Sequence, residues 1–262
     1  PLYGRSGGTT FMSGEILHTT PEKILVIGAG VSGLTTGVRL LEAGFSVTLL
    51  TRDLPLETTS AVAAAFWYPY RAHPARRVDR WARVTYQAFQ ALAGAPADAH
   101  ETGVSMRECL ELFRTPSRAP SRVPSRVPWV AAQPEARAVP ASRLPPGYAE
   151  GYEMRVPLVE MPIYLSWLLR RFTQAGGQWE QRAYRSLDEV LELHPQAVGV
   201  VDCAGLGARS LAEDPTLFAI RGQVVRVASV GLSRIVLEED GPDGLTYIVP
   251  RSSDCVLGGT AE

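Results

Sequence analysis

The chain has 262 residues, 45% of them hydrophobic and 20% charged, with a formal net charge of −1. That length suits one large domain or two smaller ones sharing a sheet, and the composition is that of a globular protein with a core. So small a charge gives no pull towards nucleic acid or an acidic membrane, and the three cysteines (Cys109, Cys203, Cys255), without CxxC spacing, argue against a disulfide framework or a zinc site.

Residues 1–20 begin without Met, are rich in Gly, Thr and Ser, and are expected to be a disordered extension. They lack the basic start and apolar stretch of a signal peptide, and no apolar run in the chain is long enough to cross a bilayer. Together with the unpaired cysteines this points to a reducing, cytoplasmic setting. A peroxisomal address would require a longer eukaryotic parent carrying a C-terminal signal. The four histidines are isolated, so no metal is expected.

Lys23 to Gly28 (KILVIG) is the short β-branched run of a buried parallel strand. Val31 to Ala43 has helical spacing at Val31, Leu34, Val38 and Leu41, and Gly44 marks a stop. Phe45 to Thr51 is the next buried strand, which completes a strand-helix-strand unit. Its first turn, Gly28-Ala29-Gly30-Val31-Ser32-Gly33, is a G-x-G-x-x-G fingerprint. The first glycine makes the turn, the second lets backbone approach a diphosphate, and the third lets helix and strand pack closely. The helix start then offers N–H groups to the phosphates. A glycine-rich turn without a ligand is the plain alternative, and the surrounding unit favours dinucleotide binding. An acidic residue is expected about 20 positions on; Arg52 stands there, with Asp53 one place later. Arg52 is compatible with a 2′-phosphate, an adenine face or a phosphate, so this position alone leaves NADP open.

Residues 77–93 have the spacing of an amphipathic helix whose apolar positions are Trp81, Val84, Tyr86, Phe89 and Leu92. Between Thr115 and Val127 the triplet Pro-Ser-Arg recurs three times, which predicts an extended, solvated loop over 115–127. Glu160 to Ala175 is a second amphipathic helix, with proline in its first turn and Gly176-Gly177 ending it. Ala197 to Cys203 reads as a buried strand before a Gly205/Gly207 turn. From Ile220 the strands 220–228, 234–239, 245–250 and 254–258 follow without helices between them, which predicts an antiparallel sheet and a second domain.

The run Thr58-Thr59-Ser60-Ala61-Val62-Ala63-Ala64-Ala65-Phe66-Trp67-Tyr68-Pro69-Tyr70 resembles the segment after the second strand in D-amino-acid oxidases. So do Arg155-Val156-Pro157-Leu158 to Trp167-Leu168, Asp202 to Arg209, Arg221-Gly222-Gln223, and Leu245 to Thr260. These stretches fall in the family's order over residues 22–262, apart from the proline-rich insert.

The resemblance implies an α/β fold: a Rossmann-type FAD-binding domain (21–75 and 156–215) interleaved with a substrate domain on a mixed or antiparallel sheet (76–155 and 216–262). Thr58, Thr59 and Ser60 would serve the FAD phosphates and ribityl chain, and Ala63, Ala64 and Ala65 would lie beside the flavin ring. Cys203, Ala204 and Gly205 would touch the cofactor through backbone. The family often carries Asn and Thr around that cysteine; Asp202 and Ala204 depart from it, which leaves side-chain contacts there open.

The implied reaction is oxidative deamination of a D-amino acid, with hydride moving from Cα to flavin N5 and O₂ giving hydrogen peroxide. The 2-oxo acid and ammonia follow. Tyr247 matches the tyrosine that bonds the substrate carboxylate, and Trp67 would line the substrate pocket. A second tyrosine found a few residues earlier in some members is absent from residues 238–246. Members continue past Gly-Gly-Thr into a segment carrying an arginine for the carboxylate, so the chain reads as C-terminally truncated, with turnover expected of a longer protein. Glycine or D-aspartate oxidases, an NADP dehydrogenase, and a flavin-binding module without turnover are the alternatives. A homodimer is left open.

Overall fold

A computed structural model of the protein describes residues 20–69, 72–95, 99–115, 136–229, 231–242 and 244–260. The expected N-terminal extension up to residue 19 and the Pro-Ser-Arg repeat beyond Thr115 lie outside the described residues, as does Tyr70. The strands are β1 (Lys23–Ile27), β2 (Ser46–Thr51), β3 (Val104–Phe113), β4 (Arg137–Ala138), β5 (Glu150–Val159) and β6 (Gln178–Gln181). They continue as β7 (Ala197–Asp202), β8 (Val224–Ala228), β9 (Ile235–Gly241), β10 (Gly244–Pro250) and β11 (Asp254–Gly258). The helices are α1 (Val31–Glu42), α2 (Thr59–Val62), α3 (Ala75–Ala93), α4 (Ala99–Thr102), α5 (Met161–Gln174), α6 (Leu187–Leu193) and α7 (Ala208–Leu211).

Among the described residues the strands form two sheets. The first is parallel throughout, in the order β6-β2-β1-β7. Parallel strands are joined by crossovers, so both faces are covered by helices and β1 is apolar and buried from Ile24 to Ile27. Val26, Val47 and Leu49 face α1 and α5, whereas Leu25, Ile27 and Leu50 face Val190 of α6. Helix α5 buries Met161, Tyr164, Leu165, Leu168 and Phe172, a three-and-four stripe on one face. The Phe172 ring is fully buried; a Cβ on Gly37 would come within 2.8 Å of it and one on Gly177 within 2.5 Å. Two glycines therefore make the slot for this ring, whose burial contributes about 1.5–3 kcal/mol.

The second sheet has the order β4-β5-β3-β9-β10-β11-β8. The four strands after residue 220 pair antiparallel, as their spacing predicts. They do not stand alone: β9 joins β3 in parallel, from Cys109 beside Ile235 to Leu112 beside Glu238, which makes the sheet mixed. Strands β3 and β5, each 10 residues long, are the longest of this sheet, and the sequence pattern does not mark them as strands. Their charged residues (Arg107, Glu108 and Glu111 in β3) and Pro157 in β5 interrupt the apolar run that marks a strand. The short strand β6 and helix α6 also escaped the sequence reading.

Helix α3 forms over the predicted span and turns Tyr86, Phe89 and Leu92 inward as expected, but not Trp81 and Val84. Trp81 and Val84 are 58% and 60% exposed, and the half-buried side carries Val78, Ala82, Tyr86, Phe89 and Leu92. Each residue advances about 100° around the helix, so Trp81 sits a full residue-step from Ala82, which touches the rest of the fold.

Candidate functional site

The carboxyl ends of β1 and β7 meet where the order of the parallel sheet changes direction. From β1 the chain runs to β2 on one side and returns to β7 on the other. Such a switch point leaves a crevice at the strand ends. Gly28 lies on it with φ +104°, a backbone conformation that favours glycine. Its N–H donates to the Leu50 carbonyl at 2.7 Å, and the Cys203 N–H donates to Ile27 O at 2.8 Å. A Cβ at Gly28 would lie 2.5 Å from the Cys203 carbonyl oxygen, so the glycine turn and Cys203-Ala204 are in contact. At Gly33 a Cβ would fall 1.7 Å from the Gly28 carbonyl oxygen, so helix α1 can start this close to β1 only with glycine there.

Gly30 caps α1 without a side-chain bond, Ala29 is buried beneath the turn, and Val31 and Ser32 form the helix's first turn. The Val31 N–H donates to Ser60 Oγ at 3.1 Å. A Cβ at Gly30 would come 3.0 Å from the same oxygen and 3.9 Å from Thr58 Oγ1. The hydroxyls of Thr58 and Ser60 are thereby gathered over the helix start, with Thr59 exposed between them. Thr58 Oγ1 itself donates to Pro55 O at 2.7 Å. A cradle of backbone N–H groups and hydroxyls, with no Cβ on its three glycines, fits a diphosphate.

Arg52 and Asp53 stand at the end of β2 and hold each other: Arg52 Nε and Nη2 reach the Asp53 carboxylate at 3.0 and 2.6 Å. This contact with Arg52 holds the Asp53 carboxyl below its ordinary range. Cys203 is half-buried and burial pushes its thiol up. Its neighbour Asp202 accepts the Ala204 N–H at 2.9 Å, closing the turn into Gly205, whose φ is +58°.

From α2 the chain runs extended along β5. Val159 N–H donates to Ala65 O at 2.9 Å and Trp67 N–H to Pro157 O at 2.8 Å. Extended chain alternates its side chains. Ala64 and Phe66 face the second sheet's core, and Ala63 and Ala65 face the first. Phe66 lies 5.7 Å from the Tyr68 ring and edge-on to Tyr247 at 6.0 Å. Trp67 also packs against the second sheet's core, its indole N–H donating to Ala82 O at 3.0 Å and its ring meeting Tyr86 at 5.1 Å. It lines a shallow pocket of about 320 Å³ with Tyr68, Pro69, His73, Val78 and Trp81. Tyr247, on β10, covers Gly258 and Gly259, where an added Cβ would meet its ring at 2.6 and 3.0 Å. Burial pushes the Tyr247 phenol up, so it is a protonated donor at neutral pH.

The structure thus gathers Gly28 to Gly33, Thr58, Ser60 and Cys203 to Gly205 at one crevice, and sets Tyr247 beside the strip after Ala65. Trp67 and Tyr247 both pack against the core of the second sheet. Sequence reasoning overlooked Phe66, which faces Tyr247; recognising 63–68 as extended chain would have shown Ala64, Phe66 and Tyr68 as one face. It also overlooked Glu111, which is fully buried and accepts from Tyr68 Oη at 2.9 Å. Arg251 was likewise missed. Among the described residues no group of three or more His, Cys, Asp or Glu is placed to hold a metal, and no helix is long and apolar enough to cross a membrane.

Comparison with known proteins places these features in context. Residues 23–262 match the FAD dependent oxidoreductase family. The chain is 48% identical over 240 residues to a D-amino-acid oxidase of Rubrobacter xylanophilus, covering 92% of this chain and 70% of that protein. It is 37% identical over 254 residues to a D-amino-acid oxidase of Streptomyces coelicolor, covering 96% and 73%. Among solved structures, a glycine oxidase from Bacillus cereus shares the fold with a TM-score of 0.65 at 16% identity, over 92% of this chain and 71% of that one.

Proposed function

The chain belongs to the FAD dependent oxidoreductase family, and on that premise we propose that it serves FAD-dependent oxidative deamination of D-amino acids. The products are the 2-oxo acid, ammonia and hydrogen peroxide. The observation that carries this reading is the 48% identity to a D-amino-acid oxidase over nearly the whole chain. The glycine cradle and the position of Tyr247 support it.

When bound, FAD supplies the acceptor for the Cα hydride and passes the electrons to O₂. The chain's own residues bind and orient. Residues 21–75 and 156–215 form the FAD-binding part, and 76–155 with 216–262 the substrate part, β5 spanning the boundary between them. Gly28, Ala29, Gly30, Val31, Ser32 and Gly33 present the start of α1 to the diphosphate, with Thr58, Thr59 and Ser60 closing over it. Arg52 and Asp53, neutralising each other, stand at the ribose and adenine end. Cys203, Ala204 and Gly205 offer backbone, and Ala63, Ala64 and Ala65 leave room for a flat ring. The Tyr247 phenol donates to the substrate carboxylate, Phe66 packs edge-on against it, and Trp67 stands at the outer wall. The partners are therefore a small D-amino acid and O₂.

The test is an absorbance spectrum of the purified chain loaded with FAD, then mixed anaerobically with D- or L-alanine. Bands that bleach with the D-form alone support the reading. Bound flavin that stays oxidised with a panel of D-amino acids overturns turnover by this chain and leaves a flavin-binding module.

A further inference from the structure

The turn between β10 and β11 carries the most buried arginine fork seen among the described ion pairs. The Arg251 side chain is 6% exposed and that of its partner Asp254 10%. Arg251 Nε and Nη2 donate to the two Asp254 oxygens at 2.6 and 2.7 Å, and the Arg251 backbone N–H donates to Asp254 O at 2.8 Å. Asp254 also accepts from Arg226 Nε at 2.7 Å, so the carboxylate is fixed from two sides. A bidentate pair leaves the guanidinium plane little freedom. Its remaining nitrogen, Nη1, donates to the Ala64 carbonyl at 3.4 Å. Next to it, Ser252 N–H and Oγ donate to the Glu160 carboxylate at 3.1 and 2.7 Å, at the start of α5.

These contacts cross the molecule. In the sheet order β10 is three strands from β5, yet its turn returns to the chain that β5 holds. The segment after α2 is bonded on one edge through Ala65 to Val159, and Arg251 grips it from the other. The same strand carries Tyr247 four residues earlier.

We propose that Arg251 is a positioning residue that sets the Ala63 to Ala65 backbone against the strand bearing Tyr247, so that the cofactor face and the substrate anchor keep one spacing. Asp254 holds the guanidinium in place for this. The inference rests on the reading above that Ala63 to Ala65 border the flavin. Displacement of about 1 Å can slow a positioned reaction a hundredfold, and an arginine locked by a buried carboxylate limits such displacement.

The test compares hydrogen exchange of peptides covering 61–67 and 23–42 in the full chain, in Arg251→Met and in Arg251→Lys. This readout needs no cofactor. Exchange across 61–67 is expected to rise at least about tenfold in Arg251→Met and less in Arg251→Lys, with 23–42 unchanged. FAD-loaded Arg251→Lys is expected to reduce its flavin with D-alanine about tenfold more slowly, with KM within about threefold. Unchanged exchange at 61–67 in both variants, or an equal rise in both regions, overturns the proposal. If Arg251→Met fails to fold, Arg251→Lys, which keeps its charge opposite Asp254, carries the same comparison. A localised rise in exchange together with wild-type flavin that no D-amino acid reduces would uphold the positioning role and remove the oxidase reading.

Discussion

Tyr247 is the residue on which substrate recognition turns in this reading. Its ring lies over Gly258 and Gly259 and meets Phe66 edge-on, so the phenol is aimed by packing on three sides. Burial raises its pKa, which keeps the proton on the oxygen that must donate. A hydrogen bond to a charged carboxylate contributes about 1.5–3 kcal/mol. Tyr247→Phe keeps the ring and removes only the donor. We expect kcat/KM for D-alanine to fall by roughly 10- to 100-fold, mainly through KM, with the flavin spectrum unchanged. A change below twofold in steady-state kinetics would remove Tyr247 from the carboxylate site. Cys109 illustrates the opposite case. Burial first, then the charge of Glu111, pushes its thiol far up, which makes it an inert packing group rather than a nucleophile.

The decisive contact among the elements is the start of α1 against β1. The distance is set by Gly33, where a Cβ would collide with the Gly28 carbonyl at 1.7 Å. Backbone cannot rotate away as a side chain can, so one of the two elements must shift. Gly33→Ala is expected to cost about 2–3 kcal/mol and to lower Tm by roughly 5–10 °C, with FAD affinity falling alongside it. Gly199→Ala in β7 is the matched control: nothing lies within 4 Å of its Cβ position. Thermal melts of the two variants check this, and equal Tm values would contradict the packing argument. The same reasoning explains α3. Its pattern predicted a helix, but the inward face is chosen by Ala82, whose carbonyl accepts the Trp67 indole, and by Tyr86, whose hydroxyl reaches Arg155 O at 3.1 Å.

Two sheets share this chain, and the Arg226–Asp254–Arg251 cluster lies where the second meets the strip from the first. Contact with Arg251, and then Arg226, holds the Asp254 carboxyl below its ordinary range. A carboxyl lowered in the folded state stabilises that state above its unfolded pKa, about 3.9. The contribution is lost as pH falls below that value through the folded pKa. Wild type should therefore exceed Asp254→Asn in urea midpoint at pH 6, and the gap should close between pH 4 and lower values. A gap that stays constant from pH 6 to pH 2.5 in denaturant titrations would show that the carboxylate's charge is not what stabilises the junction.

The sequence by itself determined the β1-α1-β2 unit of the parallel sheet, with helix α5 and strand β7. A strand, a glycine turn, a helix and a strand are local patterns, and Gly28, Gly30 and Gly33 announce their purpose through spacing that only close backbone approach demands. The order of matching segments also carried the family, and it is the source of the role proposed for Tyr247. What only the tertiary structure decided is non-local. The long strands of the second sheet, β3 and β5, hide in sequence because their pairing partners lie 37 to 55 residues apart, which lets Arg107, Glu108, Glu111 and Pro157 sit within strands. Phe66, Glu111 and Arg251 carry no motif either. Their significance lies in what they touch, and contacts between Ala64 and Arg251 or between Tyr68 and Glu111 arise only once the sheets are folded against each other.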